Sequence, residues 1–319
     1  MATLKDISRA VGLSVTQVSR ALNDHSDVSE TTKERVRAAA KSLGYSPNLS
    51  ARRLKSGQSG LVSMIVPPRS ETVELELLME TVMGLSSEFS KRGLQFVLNV
   101  LADGEDPAEA HARMMGGRSV DGIVITDPQI DDPRIARLQA MDAPFIVHGR
   151  DRLEAEYPFV DIDHRGLGFA LAEALLGRGC RSLALVDGPQ DRPYVRLRRE
   201  GVEAALAEQG LVLNPALVLP GVMTEQRGRA AAERLQHADG IIAGNMMLAA
   251  GLRAVLGPVP IGAHDDDILR YDAETVGGPL IRTRAPLSDA WSPLCAGLAA
   301  AIRAEPVTQT ILNVDLISD

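Results

Sequence analysis

Apolar residues recur with a helical period over the first 45 residues of the chain. Gly12 ends a first predicted helix, whose apolar face holds Leu4, Ile7 and Val11. Ser14 is a typical N-cap for a second helix, which turns inward Val18, Ala21 and Leu22. A third helix is predicted between Ser29 and Gly44, with an inward stripe of Val36, Ala40 and Leu43. The pattern therefore predicts a small three-helix core that contains a helix-turn-helix pair.

The second predicted helix turns four side chains outward: Val15, Thr16, Ser19 and Arg20. The guanidinium of Arg20 can make a bidentate contact to guanine or hold a phosphate, and Thr16 can hydrogen-bond a base edge. Val15 can contact a thymine methyl group. A helical bundle whose polar face only meets water fits the same pattern, so these residues alone leave DNA binding and a purely structural role open.

From Leu61 onward, short apolar runs alternate with amphipathic stretches. The runs LVSMIVP, LQFVLNV, DGIVITD and PFIVHG are separated by predicted helices over 72–92, 106–117 and 132–141. After residue 160 the alternation continues through SLALVDGP, a helix over 193–210, GIIAGN, another helix and VPIGAHD. The two series predict two doubly wound α/β lobes. Ligands of such sheets bind outside the carboxyl ends of the strands, so the expected ligand site is the cleft between the two lobes.

Charge divides the chain into a basic head and an acidic body. The chain carries 34 Lys and Arg against 42 Asp and Glu, a net charge of −8. Residues 1–58 hold ten Lys or Arg and five Asp or Glu, which leaves 24 and 37 for the rest. A balance of +5 at one end and −13 elsewhere suits a protein that holds DNA at one end only.

Composition argues against several classes of protein. No apolar run approaches the roughly 18 residues that span a bilayer, and no secretory segment opens the chain, so a cytoplasmic protein is expected. Cys180 and Cys295 lack disulfide or metal-ligand spacing, and we expect neither a metal site nor a cofactor. No nucleophile motif or phosphate loop is present, which predicts a protein that is not an enzyme.

Residues 3–60 resemble, without a gap, the headpiece of the LacI/GalR (lactose-repressor) family through VSRALN, DVS, LGYSPN and ARRLKSG. The family commonly has a small hydroxyl residue at the phosphate-facing position of Gln17, so Gln17 departs from the pattern. The resemblance implies DNA contacts at Thr3, Ser14, Val15, Thr16, Gln17, Ser19, Arg20, Asn23, Ser29, Tyr45, Asn48, Ala51, Arg52, Leu54 and Lys55.

The same resemblance implies a hinge helix over about 48–55 that pairs with its twin from a second subunit in the minor groove. Leu54 occupies the position of a wedge that unstacks base pairs, at a cost that extra protein contacts offset. Ala51 is small enough for two hinge helices to approach. Packing in a core is the alternative for Leu54, and its basic neighbours argue against it. The expected partner is a pseudo-palindromic, double-stranded operator bound by a homodimer.

The remainder of the chain resembles the periplasmic sugar-binding fold, through VDGIVITDPQIDDPRI, PFIVHGR, FVDIDHRG, GPQDRPYVRLRREGV, GIIAGNMMLAAGLRA and IGAHDDDILRY. The implied domains are a headpiece over 1–47, a hinge and linker over 48–60, and a two-lobed domain over 61–319. Its first lobe is expected at 61–160 and 286–308, and its second lobe at 161–285 and 309–319. The implied effector contacts are Ser70, Arg150, Asp163, His164, Arg198, Met223, Asn245 and His264.

Some of these residues have structural alternatives. Arg150 and Arg198 could form exposed salt bridges, Asn245 could cap a helix, and Asp163 could end a strand. Relatives usually have Asn and Asp where His164 and His264 stand, and many have an aromatic residue in place of Met223. An acidic acceptor for sugar hydroxyls and an aromatic ring that stacks on the sugar are therefore expected to be missing. Because two arginines and two histidines replace neutral or acidic partners, the cleft is expected to favour an anionic sugar derivative. The two histidines could instead bind a metal, although no third ligand is predicted.

The sequence thus predicts a DNA-binding transcriptional regulator of the repressor type, controlled by a sugar-like effector. A sugar-binding protein without a DNA role would fit the two-lobed half alone. Inducer and corepressor responses are equally compatible with the residues.

Overall fold

A computed structural model describes residues 2–22, 24–45, 58–67, 75–267, 271–306 and 309–318. The chain divides into two compact units, Met1–Gln58 and Ser59–Asp319. Several predicted contacts lie outside the described residues and stay predictions: Asn23, Asn48, Ala51, Arg52, Leu54, Lys55 and Ser70.

The first unit contains three helices, α1 (Leu4–Val11), α2 (Val15–Leu22) and α3 (Glu30–Ser42). Gly12 ends α1 in the left-handed conformation, with φ of 66°, and its N–H bonds the Ser8 carbonyl. The fully buried core residues come from all three helices: Ile7, Val18, Ala21, Val36 and Ala40. Leu43 is an exception to the predicted stripe, because it follows the end of α3 and is 40% exposed.

The first lobe of the second unit is a six-stranded parallel sheet with the order β11-β5-β4-β3-β1-β2. Its elements are β1 (Leu61–Val66), α4 (Leu75–Lys91), β2 (Gln95–Val100), α5 (Pro107–Gly116), β3 (Gly122–Thr126), α6 (Pro133–Ala140), β4 (Phe145–His148), β5 (Phe159–Ile162), α12 (Ser288–Ile302) and β11 (Gln309–Leu312).

The second lobe has the sheet order β12-β10-β9-β8-β6-β7, in which only β12 runs antiparallel to its neighbour among the described strands. Its elements are α7 (His164–Gly177), β6 (Leu183–Asp187), α8 (Pro193–Glu208), a 3₁₀ turn (Pro215–Leu217), β7 (Val218–Pro220), α9 (Glu225–Ala232), β8 (Gly240–Ala243), α10 (Met246–Leu256), β9 (Ile261–Asp265), α11 (Ala273–Val276), β10 (Leu280–Arg284) and β12 (Asp315–Ser318).

Two helices of the first lobe begin where the sequence supplies a capping aspartate. Asp106 and Asp132 each precede a proline and accept backbone N–H groups of the first turn of α5 and α6. Proline at the first helical position sets φ and needs no hydrogen-bond acceptor for its nitrogen.

Within the described residues, no helix has the length and apolar composition needed to cross a membrane.

The chain crosses between the lobes after β5, after β10 and after β11. One predicted lobe boundary differs from the strand pairing. The first sheet runs to Ile162, close to the boundary expected at about 160, but β11 pairs in parallel with β5 along Gln309 to Leu312, so 309–312 belongs to the first lobe. Only the last strand, β12, joins the second lobe, through its antiparallel pairing with β10. A short edge strand is placed by its distant partner, which its own residues do not reveal.

Candidate functional site

The four α2 side chains that were predicted to point outward are exposed or partly exposed. Val15 is 38% exposed, Thr16 and Arg20 are exposed, and Ser19 is half-buried. One guanidinium nitrogen of Arg20, Nη2, lies 2.6 Å from Asp27 Oδ2, and both side chains are about half exposed. The arginine is therefore held beside the helix but stays accessible to a polyanion.

Gln17 has a local structural role. Its side-chain oxygen accepts the backbone N–H of Ser14 at 3.1 Å, and its own N–H donates to Ser14 Oγ at 3.1 Å. This reciprocal pair is a capping box, which satisfies two backbone donors at the start of α2. Gln17, which departs from the family pattern, therefore helps to cap the N-terminus of α2, the helix that carries the four outward side chains.

Other predicted DNA contacts lie at helix starts or on the core. The backbone N–H of Thr3 donates to Asp6 Oδ2 at 2.9 Å before α1, and Ser29 Oγ caps α3 by accepting from Thr32 N at 3.4 Å. Both capping residues are exposed, and a helix N-terminus favours a phosphate. Tyr45 is half-buried against the three-helix core.

In the second unit, Arg150 and His164 share one buried carboxylate. Arg150 Nε donates to Asp161 Oδ2 at 2.8 Å, while His164 Nε2 lies 3.1 Å from Asp161 Oδ1. The Arg150 guanidinium also lies 5.2 Å from the centre of the Phe159 ring. Arg150 is therefore in a buried ion pair, rather than the exposed one that was its alternative.

Arg198, on α8, connects three groups of the second lobe. Its Nη1 donates to the Gly244 carbonyl at 2.8 Å and lies 3.2 Å from Asp187 Oδ1, and its Nε donates to His164 Nδ1 at 3.3 Å. The Tyr194 ring lies 5.0 Å from the guanidinium and 5.4 Å from the His164 ring. A continuous polar chain thus runs from Arg150 through Asp161 and His164 to Arg198.

These contacts determine the protonation of His164. Since Nδ1 accepts from Arg198, the proton of the neutral ring is on Nε2, which faces Asp161. Burial lowers the pKa of His164 to about 4, despite the opposing effect of Asp161. Burial alone would raise the pKa of Asp161, but its hydrogen bonds with His164 and Arg150 outweigh burial and lower it to about 2. At neutral pH the imidazole is neutral and the carboxylate is charged.

Asp187 contributes a second buried carboxylate. The residue ends β6 and is 3% exposed; its Oδ1 accepts from Gly188 N at 2.8 Å and contacts Arg198. Its Oδ2 is buried without a hydrogen-bond partner among the described residues. Burial raises the pKa of this carboxyl, although Arg198 and the Gly188 N–H act in the opposite direction. A buried carboxylate oxygen without a donor is costly unless a ligand or water supplies one.

His264 belongs to a neighbouring group at the end of β9. Its Nδ1 lies 3.3 Å from Thr283 Oγ1, and its Nε2 lies 3.0 Å from Asp266 Oδ1. Burial would raise the pKa of Asp266, but the nearby positive or polar groups, His264 first and then Arg198, lower it. From the first lobe, His148 ends β4 beside Trp291, with ring centres 6.1 Å apart.

Three predicted effector contacts lie outside the cluster that joins Arg150 to Arg198. Asn245 caps α10 by accepting from Leu248 N at 2.9 Å and donates to the Met223 carbonyl at 3.2 Å, so its structural alternative holds. Met223 is partly buried against the core of the second lobe. Asp163 is exposed and caps α7 through Gly166 N at 2.9 Å, which places it outside the buried cluster. The carboxylate beside His164 is Asp161 instead.

The structure holds carboxylates and a ring in the polar groups around His164 and His264, at positions other than those of His264 and Met223, where the sequence lacks them. Carboxylates are supplied by Asp161, Asp187 and Asp266, and Tyr194 supplies a ring. A signal for these residues was present, because each Asp ends or follows an apolar run, as in FVDID, LVDG and AHDDD. Their ion pairs with arginines could not be derived from it.

A metal is disfavoured where His164 was considered as a ligand, because a guanidinium nitrogen faces its Nδ1 and Asp161 faces its Nε2. Within the described ranges, no group of three or more His, Cys, Asp or Glu side chains is arranged to hold a metal ion.

Comparisons with known proteins find matches for the helical headpiece and for the two-lobed unit. The family model "Bacterial regulatory proteins, lacI family" matches residues 3–48, and "Periplasmic binding proteins and sugar binding domain of LacI family" matches residues 62–257. The chain is 33% identical over 312 residues to the HTH-type transcriptional regulator AglR of Rhizobium meliloti, which covers 94% of this chain and 87% of that protein.

Two solved structures share the fold over 99% of this chain and 98% of theirs. The transcriptional regulator CelR-cellobiose complex has a TM-score of 0.69 and 26% identity. The lac repressor dimer bound to operator and the anti-inducer ONPF has a TM-score of 0.76 and 21% identity, which bears on the fold alone. These findings confirm the predicted family and the predicted fold class, a helical headpiece followed by two α/β lobes.

Proposed function

The chain belongs to the LacI family of bacterial regulatory proteins and is therefore a DNA-binding transcriptional regulator rather than an enzyme; we propose that a neutral sugar bound between its lobes controls its affinity for an operator. The observation that carries the effector part is the free oxygen of Asp187. A buried carboxylate oxygen is a strong acceptor for a sugar hydroxyl, and a ligand that supplies one relieves its unmet hydrogen bond.

The charges of the cluster favour a neutral ligand. Arg150 is neutralised by Asp161 and Arg198 by Asp187, while His164 is uncharged at neutral pH. Asp266 adds a third carboxylate, which faces His264. An anionic sugar would meet repulsion rather than unpaired cations. This pairing supports a neutral effector in place of the anionic sugar derivative that the sequence favoured.

Cellobiose is the first probe, because the CelR relative is described as a cellobiose complex. The chain has a single tryptophan, Trp291, whose ring lies beside His148 at the end of β4. The ring is buried in the core of the first lobe, so its fluorescence reports on changes in the packing of that lobe without a label. A thermal-shift screen of other neutral mono- and disaccharides extends the search if cellobiose does not bind.

Isothermal titration calorimetry with cellobiose and cellobiouronic acid separates the neutral from the anionic proposal, since the two differ by one carboxylate. We expect the neutral sugar to bind at least tenfold more tightly. Asp187→Asn should weaken that binding, whereas Asp163→Asn, at an exposed helix cap, should leave it unchanged. Tighter binding of the acid would overturn the neutral proposal, and an unchanged affinity of Asp187→Asn would remove Asp187 from the site.

For the DNA half, we propose that the outward residues of α2 read bases in the major groove, with Thr16 and Arg20 as the polar contacts. In vitro selection from a random duplex library with the full chain should enrich a pseudo-palindrome. An Arg20→Met variant should enrich a set with relaxed preference at one position of each half-site. A library that stays random would contradict sequence-specific binding.

We propose a homodimer as the operator-binding form, as for the lac repressor dimer on its operator. Met79 and Met83, one turn apart on α4, are 48% and 67% exposed and offer apolar surface to a second copy. Sedimentation velocity should show a dimer that Met83→Glu weakens. A monomer at operator-binding concentrations would contradict the proposal.

A further inference from the structure

Two loops of the sensor unit meet across the cleft. One follows β3 in the first lobe, over 127–132, and the other follows β6 in the second lobe, over 188–192. Arg192 Nε donates to Asp127 Oδ1 at 2.9 Å, and the backbone N–H of Ile130 donates to the Asp191 carbonyl at 3.0 Å. A charged pair and a main-chain hydrogen bond thus connect the lobes at one place.

The loop of the first lobe is held rigidly by its own side chains. Asp132 is 1% exposed and accepts from Gln129 N at 3.0 Å and from Arg134 Nη2 at 2.7 Å. The same Arg134 nitrogen donates to the carbonyls of Thr126 and Asp127 at 3.3 Å. Asp127 is therefore presented in a fixed position, with φ of 49°.

The loop of the second lobe is equally ordered by local bonds. The backbone N–H of Arg192 donates to the Pro189 carbonyl at 3.1 Å, and its Nη1 donates to Asp191 Oδ2 at 2.9 Å. Pro193 then begins α8, which carries Tyr194 and Arg198. The residue that reaches the other lobe thus directly precedes the helix that supplies the binding cluster.

The contact lies away from the segments that connect the lobes. The crossovers leave from β5, β10 and β11, at one side of each sheet. β3 is two strands from β5, and β6 is three strands from β10, which at about 4.8 Å per strand is roughly 10–14 Å from the crossovers. A contact at that distance from a hinge opposes opening of the cleft more effectively than one beside it.

We propose that Asp127 and Arg192 form a clasp that holds the two lobes closed in the absence of effector. Among the described residues, neither side chain hydrogen-bonds a member of the cluster around Asp187, and we assign the pair a positioning role between the lobes. The proposal rests on the proposed function only in that a closed cleft is the form that retains a sugar. The position of the lobes can be measured without sugar or DNA.

The expected effect is modest, because one partner is exposed. Arg192 is 16% exposed and Asp127 is 58% exposed, so water and salt screen the pair. Loss of the charge pair should shift the ratio of closed to open molecules about two- to fivefold. The main-chain bond between Ile130 and Asp191 persists in side-chain variants, and part of the closure should persist with it.

Electron–electron double resonance between spin labels tests the clasp in the full chain. Labels at Gln139→Cys on α6 and Glu208→Cys on α8, both exposed positions, report the distance between the lobes. The native Cys180 and Cys295 are buried. Asp127→Asn removes the charge and tolerates the positive φ, and Arg192→Gln removes the other charge. The matched control is Arg229→Gln, which breaks an ion pair with Glu225 inside the second lobe.

We expect both single variants to increase the population at longer distances, the double variant to match either single, and the control to match the unsubstituted chain. Raising NaCl should open the unsubstituted chain but not the Asp127→Asn variant. Distance distributions unchanged in both single variants, or effects that add in the double variant, would overturn the clasp. If the clasp variants open and no sugar binds, the effector proposal fails while the clasp stands.

Discussion

The headpiece and the sensor unit place their functional side chains in opposite environments. In the headpiece, the charged groups of α2 and α3 are mostly exposed, as in the pair of Arg20 with Asp27. In the sensor, the pairs of Arg150 with Asp161 and of Arg198 with Asp187 are largely buried. A helix presented to DNA needs free polar groups, whereas a cleft for a small molecule needs groups fixed before the ligand arrives.

This difference has an energetic consequence. An exposed ion pair contributes at most about 1 kcal/mol, while removal of one partner of a buried pair costs about 3–5 kcal/mol because the other charge is left unpaired. Mutations of the exposed headpiece groups should therefore change DNA binding with little loss of stability. Mutations of the buried sensor pairs should change both effector binding and stability.

The largest effect is expected for Arg198→Leu, which leaves Asp187 buried without its guanidinium. The free energy of unfolding of the sensor should fall by roughly 3–5 kcal/mol in urea denaturation. The matched control is Arg199→Leu, one position along α8, whose pair with Glu203 is about 40% exposed and should cost less than about 1 kcal/mol. Equal losses for both variants would show that burial of the Arg198 pair has no special weight.

Acid should destabilise the sensor through its buried histidines. The folded-state pKa values of His164 and His111 are lowered to about 4 by burial, below the usual 6.5. Between pH 6.5 and 4 the unfolded chain binds protons that the folded chain does not, so stability falls as pH falls, by up to about 3 kcal/mol per histidine. His164→Asn should flatten the dependence measured in urea, and His237→Asn, at an exposed position, should not. Identical slopes for all three proteins would refute the assignment.

In the headpiece, Arg20→Met should weaken operator binding by about 1–3 kcal/mol, or roughly 5- to 150-fold, because a contact to a base or phosphate is lost. Its exposed pair with Asp27 contributes little to stability, so the thermal midpoint should change little. Fluorescence anisotropy with the selected operator measures the first effect. Arg9→Met, which breaks an exposed pair with Asp6 on α1, is the control. Undiminished affinity of Arg20→Met would remove this residue from the interface.

A smaller effect is expected for Ser14→Ala, which breaks the capping box with Gln17 at the start of α2. Headpiece stability should fall by about 1 kcal/mol, with no change in sensor unfolding. Hydrogen exchange of the α2 amides reports the local loss. Faster exchange spread equally over the sensor would contradict the division into two units.

The fold followed from the sequence where periodicity decides it. The three headpiece helices and the alternating strands and helices from Leu61 were predictable, because each apolar stripe lies within one element. The placement of β11 was not, since four residues that pair with a strand about 150 positions earlier carry no mark of their partner. The capping box of Ser14 and Gln17 could have been read directly as Ser-x-x-Gln.

Members of the polar cluster could be named from the sequence, but their charge state could not. His164, Arg198 and His264 are buried, and Arg150 is in a largely buried ion pair, while their contact with an effector stays a prediction. Each arginine has its own carboxylate because groups from separate elements approach within about 3 Å: Arg150, after β4, pairs with Asp161 on β5, and Arg198 on α8 pairs with Asp187 at the end of β6. No local pattern states such a distance, which is why the sequence alone favoured an anionic effector.

We propose that sugar binding in the sensor and operator binding by the headpiece are coupled. Operator affinity measured by fluorescence anisotropy with and without saturating sugar, and sugar affinity measured by calorimetry with and without operator, test this coupling directly. We expect both affinities to change by the same factor, about 5- to 150-fold, and Asp187→Asn to reduce the effect of sugar on operator affinity at a fixed, subsaturating sugar concentration. Operator affinity that is unchanged by a sugar shown to bind would contradict it.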